Sequence, residues 1–247
     1  MERVYYRYIF RLKSPLALGS GISDNTDSDV LLDSRGVPYI PATSIAGVIR
    51  HSVDEDTARE LFGTIQNGSG EMSKVLTYDA VCTGENAVSV RDSVRLNNKV
   101  AEDTGKFDFE AVETGAEFRG YIELADCGAD GDSVINEAFQ KINAGLLRFG
   151  HKTTRGYGTV AVEGLQRIGF SDADDWLDFD MFDDECWKNA QAVELTKPSD
   201  LTGITLSLKQ RGGISIRRYS TDVSDGENAA PDYEQLSLRS GCLLYTS

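Results

Sequence analysis

The sequence is poor in several residue types that often mark a functional centre. It has only five prolines and two histidines in 247 residues, and its four cysteines are widely spaced with no CxxC pair. The cysteines are Cys82, Cys127, Cys186 and Cys242. This spacing suits neither a disulfide framework nor a zinc site, so a reducing compartment is expected.

Long apolar stretches are also missing. No run approaches the roughly 20 residues that a membrane span requires, and the N-terminal segment lacks the apolar core of a signal peptide. We therefore expect a cytoplasmic protein without a membrane partner. Basic residues are in the minority, since 25 Lys and Arg face 40 Asp and Glu, for a net charge of −15. That balance argues against non-specific nucleic-acid binding, but a local basic groove on an acidic body is compatible with it.

The most informative stretch that is present is a glycine-rich loop at residues 147–160. Gly150, Gly156 and Gly158 lie between a predicted helix and a predicted strand, where glycine permits positive φ or close backbone approach. Four side chains in this loop can contact phosphate groups, namely Arg148, His151, Lys152 and Arg155. The pattern predicts a clamp for a phosphodiester backbone. The alternative is a helix C-cap followed by a tight turn.

The remaining patterns predict an α+β fold. Strands are expected at residues 3–13, 75–81, 88–96, 107–112, 117–124 and 157–165, and amphipathic helices at 44–50, 56–62 and 132–149. Thr43 or Ser44 is the expected N-cap of the first helix, and Gly47 inside that helix suggests close packing. Residues 107–112 and 117–124 are expected to pair with each other. This order predicts a ferredoxin-like domain with one antiparallel sheet.

Composition and an internal repeat divide the chain into four predicted parts. They are a ferredoxin-like domain at residues 1–166, an acidic linker at 167–199, the N-terminal fragment of a second copy at 200–241, and a non-native tail at 242–247. The repeat is visible where residues 204–209 echo the pattern of residues 8–13. We expect residues 202–211 to form a strand outside the first sheet.

Six short motifs, in one order along the chain, resemble the RAMP superfamily, whose members form the crRNA-binding backbone of type III CRISPR effectors. They are GSG (19–21), PATSIAGVIR (41–50), LFG (61–63), YDA (78–80), ETGAEF (113–118) and FGHKTTRGYG (149–158). Each motif is weak alone, but the ordered set covers residues 3–165. Ala42 stands where the family usually has glycine.

The resemblance implies a modified ferredoxin-like, RRM-like fold for antiviral defence that holds guide RNA (crRNA) by its backbone and leaves the bases free to pair with target RNA. The implied partners are crRNA, target RNA and other CRISPR effector subunits. The implied structural glycines are Gly19, Gly21, Gly150, Gly156 and Gly158. The candidate RNA-binding residues are Lys13, Ser20, Ser44, Arg50, Arg148, His151, Lys152 and Arg155.

The resemblance also implies a candidate catalytic residue. In target-cutting members, a loop aspartate lies six residues before a second aspartate, and Asp27 and Asp33 have this spacing. Asp27 would act as a metal-dependent endoribonuclease residue, with Mg²⁺ as the implied ion and Asp29 as the fallback. The alternative is a solvated acidic loop. No residue pattern marks a set of metal ligands.

Three functions are left open by the sequence. The chain is a guide-RNA-binding subunit that cleaves target RNA, a non-catalytic structural paralogue that only holds RNA and neighbouring subunits, or a domain that uses its acidic surface for protein partners alone. Nothing in the sequence brings His51 and His151 together, and the cations beside His151 favour phosphate contact over acid–base catalysis.

Overall fold

The computed structural model describes residues 2–21, 24–66, 69–84, 86–97 and 100–198, together with residues 205, 207, 209, 217–219 and 233–235. The strands in chain order are β1 (Arg3–Leu12), β2 (Tyr39–Ile40), β3 (Thr64–Gln66), β4 (Ser69–Glu71), β5 (Val75–Thr77), β6 (Ala80–Cys82), β7 (Val88–Asn97), β8 (Val100–Val112), β9 (Glu117–Ala125), β10 (Val160–Phe170), β11 (Gln191–Ala192), β12 (Arg217–Tyr219) and β13 (Tyr233–Gln235). The α-helices are α1 (Ala42–Arg50), α2 (Glu55–Phe62), α3 (Gly128–Asn143) and α4 (Ala173–Leu177).

The central sheet has a ferredoxin-like strand order. β1 lies between β10 and β9, both antiparallel to it, and β9 in turn pairs with β5 and β6. α1 precedes β5 along the chain and α3 connects β9 to β10. This is the β-α-β-β-α-β order of the fold, so the predicted α+β class with an antiparallel sheet is confirmed.

Aromatic residues on alternate positions of β1 form the centre of the core. Tyr6, Tyr8 and Phe10 are each 0% exposed because alternate residues of a strand point to the same face. Their rings lie 6.1, 5.1 and 6.3 Å from the ring of Phe139 on α3. This face of the sheet therefore holds the helices, and Tyr5 and Arg7 belong to the other face.

The strand pairing predicted for residues 107–112 and 117–124 is wrong. β8 pairs with β7 in a separate two-stranded hairpin, whereas β9 joins β1 in the central sheet. The turn between them is held by β1: Leu12 donates to the carbonyl of Ala116 and accepts from the amide of Gly115, both at 2.9 Å. The chain therefore crosses to β1 at this turn and does not fold back on β8.

Other element boundaries differ from the sequence prediction. Most of the stretch between the predicted strands at 88–96 and 107–112 is itself strand, and the stretch at 64–73, for which no element was predicted, forms the short pair β3 and β4. α3 ends at Asn143, where the chain turns through Gly145 at φ 75°. Leu146, which falls within the amphipathic helix predicted at 132–149, is consequently 52% exposed.

The acidic stretch predicted as a linker is packed against the sheet. β10 continues through the predicted boundary to Phe170, and residues 171–190, here called the acidic strap, cover the face opposite the helices. Trp187 is 1% exposed and donates to the carbonyl of Met181, and Trp176 donates to the Tyr5 hydroxyl at 2.7 Å. The strap is therefore part of the folded unit.

The predicted second copy and tail lie outside the described residues, except for a few positions. Residues 205, 207 and 209 are described within the predicted strand at 202–211, and β12 pairs with β13. The second copy therefore stays a prediction. Among the residues that are described, no helix has the length and apolarity needed to cross a membrane.

Candidate nucleic-acid interface

A groove of about 900 Å³ forms where α1, the glycine loop and the segment after β1 meet. Ser44 and Gly47 line it from α1, and Arg148 and His151 line it from the loop. Gly19, the first residue of the GSG motif, lines the groove from the segment after β1. Three of the motifs that were separate in sequence therefore meet in one open surface.

The glycine loop owes its glycines to close backbone contacts. A β-carbon at Gly150 would lie 2.3 Å from the carbonyl oxygen of Ala17, and one at Gly158 would lie 1.8 Å from that of Phe149. Both glycines also have φ of 76°. The loop is tied to the segment after β1, since His151 donates its amide to Ala17 at 2.8 Å. A side chain at either glycine would push the loop away from the groove.

Arg148 and His151 are the cationic or titratable side chains that the loop gives to the groove. Arg148 is exposed, and its guanidinium donates to the carbonyls of Thr153 at 2.7 Å and Gly145 at 3.3 Å. It thereby braces the turn while it faces the groove. The ring of His151 reaches the GSG turn, where a β-carbon at Gly19 would lie 3.5 Å from its Nε2.

Lys152 does not line the groove. Its backbone is left-handed, with φ of 59°, and its ammonium lies 4.0 Å from the ring centre of Phe109 and 4.7 Å from that of Phe107, both on β8. Burial against these rings, followed by the nearby charge of Arg155, lowers the pKa of Lys152. Arg155 is exposed on the turn Thr153–Arg155 and is not among the groove-lining residues.

The other predicted RNA-binding residues are also not among those that line the groove. Arg50 donates to the carbonyls of Ala58 at 3.1 Å and Gly63 at 3.0 Å, which caps the end of α2. Lys13 is exposed at the end of β1, and the backbone of Ser20 donates to Asp29 at 2.9 Å. Of the eight predicted residues, the groove gathers Ser44, Arg148 and His151.

The start of α1 differs from its prediction. Pro41 and not Thr43 or Ser44 is the N-cap, and no side chain of α1 caps it. Instead, the carboxylate of Asp79, from the YDA motif, accepts from the amide of Ala42 at 2.7 Å. Because this negative group already occupies the helix N-terminus, a phosphate is better placed farther along α1, beside Arg148.

Asp27 is exposed on a loop fastened to the hairpin. Its amide donates to the Asp108 carboxylate, and its carboxylate accepts from the Asp108 amide, both at 2.9 Å. Ser28 places its hydroxyl beside Gly19, where a β-carbon would lie 3.0 Å from it. The loop therefore adjoins the groove at the His151 side, although Asp27 is not among the residues that line it.

Asp29 is a structural residue, which corrects its role as the fallback for catalysis. It is 8% exposed, and its carboxylate accepts from the amides of Asp24, Asn25 and Thr26 at 2.8, 3.1 and 2.8 Å, and from the Thr26 hydroxyl at 2.8 Å. These hydrogen bonds, with that from Asn25 the largest, lower the pKa of Asp29 to about 2. A carboxylate so fully engaged has little capacity left for RNA or a metal ion.

Several groove residues were missed from the sequence, among them His51 and Leu146. His51 follows α1 and Leu146 follows α3, and neither pattern shows that the two helix ends face each other. Gly47 was noticed but misinterpreted: it is exposed, and a β-carbon there would have nothing within 4 Å outside its own helix and neighbours. Its signal, a lone glycine inside a helix, pointed to an open surface and not to close packing.

The described residues include no group of three or more His, Cys, Asp or Glu placed to hold a metal ion. Asp27 and Asp108 are neighbouring carboxylates, each of which accepts a hydrogen bond from the other residue's amide. That fits Mg²⁺ only where phosphates and water complete its shell, as they commonly do.

Comparisons with known proteins agree with this fold. The chain is similar in fold to a chain in the "Cryo-EM structure of the Type III-B Cmr-beta bound to cognate target RNA", with TM-score 0.55 and 19% identity over 68% of this chain and 61% of that one. A chain in the "Type III-B Cmr-beta Cryo-EM structure of the Apo state" gives TM-score 0.52 and 13% identity over 64% of this chain and 96% of that one. No curated protein sequence matches. The RAMP superfamily model matches residues 9–161, and the chain belongs to that superfamily.

Proposed function

We propose that this protein is a cytoplasmic subunit of a type III CRISPR effector complex and that it binds guide RNA in the groove between α1 and the glycine loop. The observation that carries the proposal is the convergence of Arg148, His151 and Ser44 on one open groove. Other effector subunits and a complementary target RNA are its further proposed partners. Family membership and the fold shared with chains of Cmr-beta, one of them from a structure of Cmr-beta bound to cognate target RNA, support this assignment.

The chemistry of the groove suits an RNA backbone. Arg148 supplies a fixed positive charge, and Ser44, Thr153 and Thr154 supply hydroxyls for phosphate or ribose oxygens. The other face of the sheet is unsuited to RNA because the acidic strap covers it. RNA binding by an acidic protein is therefore confined to the side that carries the groove.

Replacement of Arg148 tests guide binding. Arg148→Ala should weaken binding of a labelled single-stranded RNA and reduce the slope of log affinity against log salt by about one phosphate contact. The measurement is fluorescence anisotropy at several salt concentrations. Arg59→Ala is the matched control, since Arg59 is exposed on α2 and pairs with Glu55. Equal slopes for the wild type and Arg148→Ala would contradict the proposal.

We propose target cleavage through Asp27 as a second activity of the assembled complex. The supporting observation is an exposed carboxylate on a loop that is hydrogen-bonded to the β7–β8 hairpin beside the groove. A divalent ion held there by Asp27, Asp108 and an RNA phosphate would help the ribose 2′-hydroxyl attack the adjacent phosphorus. The P–O5′ bond breaks, giving a 2′,3′-cyclic phosphate and a 5′-hydroxyl.

Single-turnover cleavage by the assembled complex tests this activity. Asp27→Asn should lower the rate at least about a hundredfold while guide binding persists. Asp24→Asn is the matched control, because Asp24 is an exposed carboxylate in the same loop that contributes its amide to Asp29. Undiminished cutting by Asp27→Asn would exclude Asp27. A wild-type complex that binds guide and target but never cuts would identify the chain as the non-catalytic paralogue.

A further inference from the structure

The groove does not end at α1. A second cavity of about 420 Å³ lies on the other side of the helix, lined by residues that include Arg50, Val53 and Ala58. Gly47 and His51 line both cavities. The two cavities therefore meet over one turn of α1. Because Gly47 has no side chain, the protein surface between the cavities is lowest at this residue.

Neither the backbone conformation nor the packing of α1 requires a glycine at position 47. Glycine is unfavourable inside a helix relative to alanine. Its backbone is not left-handed, and a β-carbon there would meet nothing within 4 Å outside its own helix and neighbours. Alanine would therefore fit and would strengthen α1. The absence of a side chain is instead what keeps the surface between the two cavities low.

Resting on the proposed RNA binding, we propose that the RNA strand crosses α1 over Gly47, with its phosphates on the groove side and one nucleobase in the second cavity. The groove side offers Arg148 and His151 to phosphates. The second cavity offers less to an anion, because Glu55 lines it and the guanidinium of Arg50 is already engaged by two carbonyls.

The lining of the second cavity suits a base. Val53 and Ala58 give it apolar walls, and the guanidinium of Arg50 is held by two carbonyls at its edge. His51, which is exposed at the crossing, offers a ring on which a base can stack. Stacking of this kind accepts any base, so the crossing selects single-stranded RNA and not a particular sequence.

Two substitutions of Gly47 test the crossing against a structural role. Gly47→Ala should raise the melting temperature and yet weaken single-stranded RNA binding about threefold, and Gly47→Leu should weaken it at least about tenfold. Neither should change the salt slope, since no phosphate contact is lost. Gly84→Ala is the matched control, because Gly84 also faces open space but lies outside both cavities.

The outcomes separate this inference from the function on which it rests. Wild-type affinity in Gly47→Leu, with a normal Arg148→Ala effect, overturns the crossing and leaves guide binding intact. A reduced salt slope in Gly47→Leu overturns the placement of a base in the second cavity, since it would show a phosphate there. No RNA binding by the wild type overturns both. If Gly47→Leu does not fold, Gly47→Ala decides, because weaker binding by a more stable protein has no structural explanation.

Discussion

At the residue scale, the carboxylate of Asp29 holds together the loop that carries Asp27. Its pKa of about 2 lies below the ordinary value of an aspartate, so Asp29 favours the folded state above about pH 4 and loses this effect as the pH falls toward 2. Asp29→Asn removes the ionised group. The variant should therefore be less stable than the wild type at about pH 6, and the difference should shrink toward about pH 2.

Urea unfolding of the wild type and Asp29→Asn at several pH values between about 2 and 6 gives the free energy of unfolding of each protein. The other carboxylates titrate in both proteins, so their effect cancels when one free energy is subtracted from the other. Asp24→Asn, in the same loop, is the control variant, because it leaves the Asp29 carboxylate in place and Asp24 contributes only its amide to that carboxylate. A gap that stays constant down to about pH 2 would show that the hydrogen bonds of Asp29 do not depend on its charge. The same bonds make Asp29→Ala unsuitable as a neutral control for Asp27.

Tyr8 is a second residue whose role is visible only in the fold. Its hydroxyl is buried without a hydrogen-bond partner among the described residues, and burial raises its pKa. A β-carbon at Gly120 would lie 2.5 Å from this hydroxyl. Tyr8→Phe should therefore leave stability unchanged or raise it by up to about 1 kcal/mol, since an unpaired buried hydroxyl is costly.

Tyr6→Phe is the control, because the Tyr6 hydroxyl donates to Asp132 at 2.7 Å and its loss should cost about 1 kcal/mol. A double-mutant cycle sharpens the test: Gly120→Ala should be destabilising in the wild type, and Tyr8→Phe should relieve only part of that cost, because two ring carbons of Tyr8 would also lie 2.6 and 2.8 Å from the new β-carbon. Additive effects at these two positions would contradict the crowding inferred between them.

At the scale of elements, Lys152 connects the glycine loop to the β7–β8 hairpin. Its ammonium faces two aromatic rings of β8, and Tyr157 of the same loop packs against Phe109 with ring centres 5.9 Å apart. Lys152→Met should preserve most of the packing but lose the cation–aromatic attraction, with a cost of about 0.5–2 kcal/mol. Hydrogen exchange in the hairpin should rise.

The same variant separates Lys152 from Arg148 in RNA binding. Because Lys152 is held against the hairpin and outside the groove lining, Lys152→Met should change the salt slope of RNA binding less than Arg148→Ala does. Equal slope changes would mean that Lys152 leaves the hairpin to bind phosphate, as the sequence alone suggests.

Elements whose signals are local could be predicted from sequence, and those set by distant residues could not. α2 was predicted almost to its ends, because Asp54 caps its start and Gly63 ends it with φ of 73°. The start of α1 was misjudged, because its cap comes from Asp79, well along the chain. The pairing of β8 was misjudged for a similar reason, since β1 redirects the turn after it.

The candidate site follows the same rule. Arg148 and His151 were recognised from a glycine loop whose spacing is local, and the groove contains both. Arg50 and Lys152 share the charge of a phosphate ligand, but carbonyls of α2 and rings of β8 engage them. Sequence shows that a cation is present, but not which partner it meets, because those partners come from separate elements.

At the scale of the whole molecule, a net charge of −15 is compatible with RNA binding because many acidic side chains lie on the acidic strap, away from the groove. Asp174, Asp175 and Asp178 are exposed on the acidic strap. The strap is held on the sheet by Trp176 and Trp187, over which Arg3 and Arg7 lie at 5.3 and 4.9 Å from the ring centres. Helices cover one face of the sheet and the strap covers the other.

This arrangement predicts that the strap carboxylates have little effect on the affinity for RNA. Asp174→Asn, Asp175→Asn and Asp178→Asn together should change RNA affinity less than about twofold near physiological salt, where exposed charges are screened beyond about 8 Å. Arg148→Ala, which removes one charge inside the groove, should have the larger effect in the same anisotropy assay. Markedly tighter RNA binding by the triple variant would show instead that the strap carboxylates repel RNA from the sheet face they cover. That face would then be a second RNA-binding surface.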